Sequence, residues 1–316
     1  MTQELGRVGV LYGGVSAERE VSLMSGKGVC DALQSLGVEA HLFDLGQQSL
    51  CDLMQADFDR VFIALHGRYG EDGTVQGALE LLNLPYTGSG PMASSVAMDK
   101  VMTKQIWQHY RLPTPAWWVL NSESDLGAAA KQLDFPLILK PAHEGSTLGL
   151  TKVDTAEALT DAYALAAKYD SVVLAEHCIV GREFTVPVLG RNANAQALPV
   201  IEIRAPDGNY DYEHKYFSDA TEYLCPAPIS DQLTAEIQDL AKQAYNAIAC
   251  EGWGRVDFMV DEAGKAWLLE VNTSPGMTPQ SLVPMSAAAT GMSYADLCLT
   301  ILKDARCKVQ QASRGA

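Results

Sequence analysis

Two apolar, strand-like runs separated by four turn-forming residues set the tightest constraint on how this chain folds. Residues 253–276 read WGRVDFMVDEAGKAWLLEVNTSPG; the run 255–260 breaks at Asp261, Glu262, Ala263 and Gly264, and a second run, 266–272, follows at hairpin distance. Glu270 and Asn272 are two positions apart, so on a strand they share one face while Val271 takes the other. Asp257 on the first run becomes a near neighbour of Glu270. Two readings follow. The three are edge-strand polar groups facing water, or they are oxygen ligands for a hard divalent cation such as magnesium, which takes one or two carboxylates and completes its shell with water and phosphate. The apolar surroundings favour the second, because two carboxylates set together in a buried sheet repel unless a cation or a proton lies between them.

With 316 residues, 47% of them hydrophobic, the chain has material for two or three cores. Its net charge of −16, from 39 acidic against 23 basic residues, repels nucleic acid and anionic membrane, so an anionic ligand has to be held by a few local cations. No apolar run has the length of a membrane span, and the N-terminus lacks a basic-then-apolar leader, which predicts a cytoplasmic protein. The seven cysteines are odd in number and scattered, as expected of reduced packing residues.

The first hundred residues alternate in the α/β manner. Residues 7–12 form an apolar strand, Gly13 and Gly14 a tight turn, and Ser16 a helix cap with Glu18 and Glu20 in the first turn of a helix running to Leu36. Strands at 38–45 and 60–65 continue a βαβ pattern, which implies a parallel sheet covered on both faces, with ligand loops at the carboxyl ends of its strands. A single long helix is predicted over 92–110. Pro113 and Pro115 then break the chain. Strands at 115–120, 137–140 and 171–176 alternate with helices at 125–133 and 155–168; two long strands (183–189, 195–204), a helix at 230–250, the hairpin and two terminal helices complete the chain. The expected segments are 1–95, 96–180 and 181–316.

Two loops stand out. The run Glu144 to Gly149 lies between strand signals, so it is neither a P-loop nor a Rossmann turn, both of which open a helix. Its small residues, Gly145, Ser146, Thr147 and Gly149, let backbone N–H groups approach phosphate oxygens. The polar stretch 205–222, with Lys215 and Tyr216 at its centre, is too long for a simple connector and reads either as a lid or as a surface loop.

Taken in order, these pieces resemble the ATP-grasp superfamily and, within it, the D-alanine–D-alanine ligase family. The resemblance rests on GGVSAE at 13–18, His66-Gly67, Lys100, 140–149, Glu176, Glu183, YDYEHKY at 210–216, GRVD at 254–257 and EVNTSPG at 270–276, and it spans nearly the whole chain. It implies an α/β (in part α+β) fold, in which an N-terminal parallel-sheet domain precedes a two-lobed ATP-grasp module. It also implies ATP as co-substrate, two magnesium or manganese ions (Mg2+ or Mn2+), two molecules of D-alanine as substrates, and a homodimer.

Residue by residue, the resemblance implies that Lys100 and Lys140, with the backbone of Gly145, Ser146 and Thr147, contact the ATP phosphates. Glu176, Cys178 and Ile179 hold the adenine, and Glu183 accepts from the ribose. Asp257, Glu270 and Asn272 bind the metal ions. Glu18 anchors the ammonium of the first D-alanine, with Ser16 and His66 orienting it, and Ser281 grips the carboxylate of the second. Arg255 and the Gly276 N–H meet an oxyanion, Lys215 neutralises the transferring phosphoryl group, and Ser146 and Tyr216, linked to Glu18, close the site. The sequence departs from many relatives at Thr147, where a second serine is common, and at His143, where the residue varies. The alternatives are a D-alanine–D-lactate ligase, whose relatives lack the tyrosine seen as Tyr216, another ATP-grasp carboxylate–amine ligase, and a nucleotide-binding module without chemistry.

Overall fold

In a computed structural model of the chain, which describes residues 5–145, 148–205 and 221–309, the N-terminal sheet is built around β1 (Arg7–Tyr12). The chain continues through α1 (Arg19–Ser35), β2 (Glu39–Asp44), α2 (Leu50–Gln55), β3 (Arg60–Ile63) and α3 (Thr74–Leu81). The three strands are parallel in the order β2-β1-β3. Period-two alternation sends Val8 and Val10 to one face and Leu11 to the other. Val8 and Val10 join α1 residues Val29 and Leu33 in one core, and Leu11 joins Leu53, Val61 and Leu79 in a second, so both faces are covered. The first core is completed from far along the chain, by Leu297, Ile301 and Leu302. At about 1.5–3 kcal/mol for each buried aliphatic side chain, those three suffice to dock the terminal helix on the N-terminal sheet.

The long helix predicted over 92–110 is two helices, α4 (Pro91–Met98) and α5 (Lys100–His109), broken at Asp99, whose ψ is 100°. The Asp99 side chain accepts from the Met102 N–H at 3.0 Å and so caps α5. A residue that offers the backbone its own acceptor makes a new N-terminus cheaper than an uninterrupted helix. The break puts Lys100 at the first position of α5. The second sheet follows, with β4 (Trp117–Leu120), α6 (Leu126–Gln132), β5 (Leu137–Pro141), β6 (Thr151–Val153), α7 (Leu159–Ala166) and β7 (Val173–His177). It is antiparallel in the order β4-β7-β5-β6, which sets Glu176 of β7 opposite Ile138 of β5.

The third sheet comprises β8 (Gly181–Leu189), β9 (Gln196–Ala197), β10 (Ile201–Arg204), β11 (Glu222–Leu224), β12 (Trp253–Asp261) and β13 (Ala266–Asn272), ordered β11-β10-β8-β12-β13 with β9 against β8. The strand expected over 195–204 is thus two pieces, separated around Pro199, which has no N–H for a ladder. Between β11 and β12, α8 (Asp231–Ala247) is capped by Ser230 and packs Ile237, Ala241 and Ala244 under the sheet. The chain ends with α9 (Leu282–Ala289) and α10 (Tyr294–Lys303). In the hairpin Asp257 lies opposite Glu270, but Phe258 lies opposite Leu268, so Leu269 is an extra residue in a bulge. Val271 and Leu268 are three positions apart and would face opposite ways on an uninterrupted strand. The bulge lets both enter the core.

The helix cap expected at Ser16 sits elsewhere. Glu18 occupies the N-cap position of α1 without a side-chain cap bond, and the Ser16 hydroxyl accepts from the Glu18 N–H at 3.2 Å while donating to the His66 carbonyl at 2.7 Å. The turn before it is fixed by Asp44 at the end of β2. Arg19 reaches both Asp44 oxygens, at 2.9 and 2.7 Å, and the Gly14 carbonyl at 2.8 Å; the Gly46 N–H donates to the same carboxylate at 2.8 Å. Gly13 has φ of +71°, and a Cβ there would stand 2.2 Å from Asp44 Oδ1, so only glycine fits.

The Arg19 guanidinium holds the buried Asp44 carboxyl below its ordinary value, outweighing burial, with help from the Gly46 and Gly14 N–H groups. A lowered carboxylate contributes stability that is full above its unfolded pKa of about 4 and is lost as pH falls through the folded value. Asp44→Asn should therefore lower unfolding free energy by about 1–3 kcal/mol at neutral pH. The gap to wild type should close on acidification. Urea titrations at stepped pH measure this, and a gap that stays constant into strong acid contradicts it.

Candidate active site

The expected residues that the structure describes fall into three groups, linked by Lys100 between the glycine-rich segment and the hairpin and by His66 on the Ser274 carbonyl. The first is the loop cluster after β1 and β3. Glu18 is buried, and a Cβ on Gly67, whose φ is +67°, would stand 2.8 Å from Glu18 Oε2, so the glycine allows the two loops to close together. The Gly145 Cβ position is 3.8 Å from Glu18 Oε1, which brings the start of the glycine-rich segment to the same carboxylate. A cavity of about 210 Å³ lies here, lined by Ser16, Glu18, Gly67, Arg68, His143 and Gly145 among others.

His66 is buried behind this cavity with both ring nitrogens engaged. Nδ1 is 2.7 Å from the Ser274 carbonyl and Nε2 is 2.9 Å from Ser25 Oγ. Burial lowers its pKa against the opposing pull of Glu18 and the Ser274 carbonyl, so the ring is the neutral tautomer that donates from Nδ1 and accepts from the Ser25 hydroxyl. Ser25 Oγ accepts in turn from the Met277 N–H at 3.1 Å, which ties α1 to the segment carrying Gly276. Gly276 is buried, in a stretch that is neither helix nor strand.

The second group is ionic. Lys140, at the end of β5, lies 2.7 Å from Glu176 Oε2, and the other Glu176 oxygen pairs with Lys104. Burial alone would raise the Glu176 carboxyl, but the two lysines outweigh it and hold it low. Burial pushes Lys104 down to about 8 in spite of Glu176, whereas Lys140, close to Glu176 and Glu270, is raised. Both Glu176 oxygens are thus committed to lysines. Lys100 joins this group to the hairpin, its Nζ donating to the Glu144 carbonyl at 2.7 Å and lying 3.5 Å from Glu270 Oε2. Cys178 and Ile179 follow β7, and the Cys178 N–H donates to the Pro136 carbonyl at 2.9 Å. Burial raises the Cys178 thiol. Glu183 lies on β8 opposite Met259.

The third group is the hairpin face. The register sets Arg255 opposite Asn272 and Asp257 opposite Glu270, so all four side chains leave one face of the sheet. Arg255 grips both Asp257 oxygens, at 2.8 and 2.7 Å; Asn272 Nδ2 donates to Asp257 Oδ2 at 2.9 Å and Thr185 Oγ1 to Oδ1 at 2.6 Å. Among the described residues no three of His, Cys, Asp and Glu converge on one point. The donors present, two carboxylates and one amide oxygen, are all hard, which fits a magnesium-type ion that takes its remaining ligands from water and phosphate. Ser281 occupies the N-cap position of α9, its hydroxyl accepting from the Thr278 N–H at 3.0 Å. Ser146, Thr147, Lys215 and Tyr216 lie outside the described residues.

The sequence reading missed three residues in this region. Lys104 follows Lys100 by four positions and so shares its face of α5, a signal that was available. Thr185 lies two positions after Glu183 on one strand face. Glu71 had no local signal. Its Oε1 accepts from the Gly67 N–H at 2.9 Å, and burial, with Glu18 and Glu270 nearby, raises its carboxyl to about 8.

Comparison with known proteins accords with this geometry. The family model described as D-ala D-ala ligase C-terminus matches residues 106–303, and the one described as D-ala D-ala ligase N-terminus matches 45–89. The chain is 64% identical over 312 residues to a D-alanine–D-alanine ligase of Bordetella petrii, covering 99% of this chain and 96% of that protein. It is 58% identical over 315 residues to one from Herminiimonas arsenicoxydans, covering 98% and 94%. The crystal structure of a D-alanine–D-alanine ligase from Bacillus anthracis superposes with a TM-score of 0.81 at 35% identity, over 95% of this chain and 97% of that one. From the loop cluster to the hairpin face, over nearly its whole length, the chain belongs to the D-alanine–D-alanine ligase family.

Proposed function

We propose that the protein joins two molecules of D-alanine at the expense of ATP, with the residues described above in named roles. The observation that carries this reading is Lys100, which spans the glycine-rich segment and the Asp257/Glu270 hairpin and so supports a phosphate site beside the Glu18 cavity. The carboxylate of the first D-alanine attacks the γ-phosphoryl group, giving a D-alanyl phosphate and ADP. The amine of the second then displaces phosphate. Activation is needed because a carboxylate is a poor electrophile.

In this reading Glu18 takes the ammonium of the first substrate, and Ser16 and His66 hold the loop that positions it. Lys100 and Lys140 meet the phosphates, and Gly145, Ser146 and Thr147 add backbone donors. Glu176 aims Lys140 and, with Cys178 and Ile179, edges the adenine pocket, with Glu183 at the ribose. Arg255, fixed by its two bonds to Asp257, and the Gly276 N–H face the oxyanion of the second step. Ser281 meets the second carboxylate where the α9 N-terminus favours negative charge. Lys215 and Tyr216 close over the site. Asp257, Glu270 and Asn272 would hold two magnesium or manganese ions, which supply charge neutralisation on the phosphates. Among the described residues, the proposed segments 1–95, 96–180 and 181–316 each carry one sheet. No helix among the described residues is long and apolar enough to cross a membrane. The dependence on ATP supports a cytoplasmic site of action, and the family resemblance supports a homodimer.

Phosphate release from ATP should require D-alanine, with D-alanyl-D-alanine identified by mass; release with D-lactate present and a depsipeptide product would point instead to a D-lactate ligase, and no release under any condition to a binding module. Glu270→Gln should cut kcat by about 10²-fold or more with the thermal midpoint little changed. Full activity would sink the metal assignment. Ser281→Ala should raise KM for the second D-alanine about 10-fold, the loss of one hydrogen bond to a charged group, and leave KM for ATP unchanged. Equal effects on both constants would remove Ser281 from the second subsite.

A further inference from the structure

One histidine at the root of the glycine-rich segment bridges two carboxylates, and the reaction as described makes no use of it. His143 Nδ1 lies 2.7 Å from Asp170 Oδ2, and the His143 backbone N–H donates to the same oxygen at 2.8 Å. Its Nε2 lies 3.3 Å from Asp99 Oδ2. Each ring nitrogen thus has a carboxylate oxygen within 3.3 Å, and the backbone N–H adds a third contact. The ring lines the cavity and its side chain is 35% exposed, so it does not serve as core filling.

Both carboxylates are themselves anchored. Asp170 Oδ1 accepts from the Val172 N–H at 3.1 Å, and Asp99 Oδ1 caps α5 through the Met102 N–H. His143 therefore pins the segment between the start of α5 and the end of the α7–β7 connection. The next residue, Glu144, gives its carbonyl to Lys100 Nζ at 2.7 Å and its side chain to Arg68 at 2.5 Å. The Lys100 N–H in turn donates to the Ala142 carbonyl at 3.1 Å. The Lys100 ammonium is thus aimed by a carbonyl whose own place depends on the residue before it.

We propose that His143 is a positioning residue for nucleotide use: by bridging Asp99 and Asp170 it fixes the Glu144 carbonyl, which orients the Lys100 ammonium toward the ATP phosphates. The inference rests on the reading of Lys100 as a phosphate ligand. Residue 143 then tunes ATP affinity without touching ATP, and any side chain that spans the two carboxylates with a donor to each can fill the place.

Steady-state kinetics on the whole chain test this, with ATP varied at saturating D-alanine and D-alanine varied at saturating ATP. His143→Ala should raise KM for ATP about 10-fold, equivalent to one charge-assisted hydrogen bond, and by more than it raises KM for the first D-alanine, whose cavity the ring lines. His143→Arg, whose guanidinium has donors for both carboxylates, should recover most of the loss. Asp99→Asn keeps a cap for α5 and removes the charge, so it should reproduce part of the defect with the fold intact. In a Lys100→Met background, His143→Ala should add little, because both act through one ammonium. If Lys100→Met raises KM for ATP and His143→Ala does not, or if the two effects simply add, His143 has no such role while the phosphate site stands. If Lys100→Met itself leaves KM for ATP unchanged, the phosphate reading falls and takes this inference with it.

Discussion

Much of the buried negative charge at the centre of this protein is tolerable because three of its carboxylates face cations, while burial beside Glu18 and Glu270 raises the Glu71 carboxyl. Asp257 is gripped by Arg255, Glu176 is held between Lys104 and Lys140, and Glu270 faces Lys100. Removing one partner from such a set leaves a desolvated charge that costs more than the pair contributes. The requirement is strict in a chain of net charge −16, where uncompensated carboxylates are plentiful and cations few. It also suits the proposed phosphate site, because lysines already desolvated and oriented need little rearrangement to meet a polyanion.

That balance is assembled from all three sheets. Lys140 and Glu176 come from neighbouring strands of the second sheet, Arg255, Asp257 and Glu270 from the hairpin of the third, and Lys100 from the helix that leads into the second. The first sheet contributes the loops bearing Glu18 and His66, and it is locked to the third by His66 on the Ser274 carbonyl and by Ser25 on the Met277 N–H. The terminal helix closes the arrangement by burying its apolar face against α1. The cavity beside Glu18 exists because elements distant in sequence meet there.

Much of the fold was legible from pattern. The three parallel strands followed from short apolar runs at βαβ spacing, and the hairpin from two runs flanking a turn. The departures have local causes: Asp99 supplies its own cap and splits a helix, Pro199 interrupts a strand, and the Ser16 hydroxyl bonds within its loop and leaves the N-cap position to Glu18. In the site, chemistry-bearing residues in recognisable order were found, whereas Glu71 was not. Its raised carboxyl depends on burial next to Glu18 and Glu270, which no window of sequence around residue 71 reveals.

The sequence alone determined that Asp257, Glu270 and Asn272 lie on facing strands, because side-chain alternation is a property of the backbone and a four-residue turn fixes which strands pair. It also determined the family, since the motifs keep their order along nearly the whole chain. Only the tertiary structure decided which side chains hold which: that Glu176 spends both oxygens on lysines, that Arg255 is clamped to Asp257, and that His143 ties Asp99 to Asp170. Those pairings depend on distances between elements remote in sequence and on how far each group is removed from water, and local pattern specifies neither.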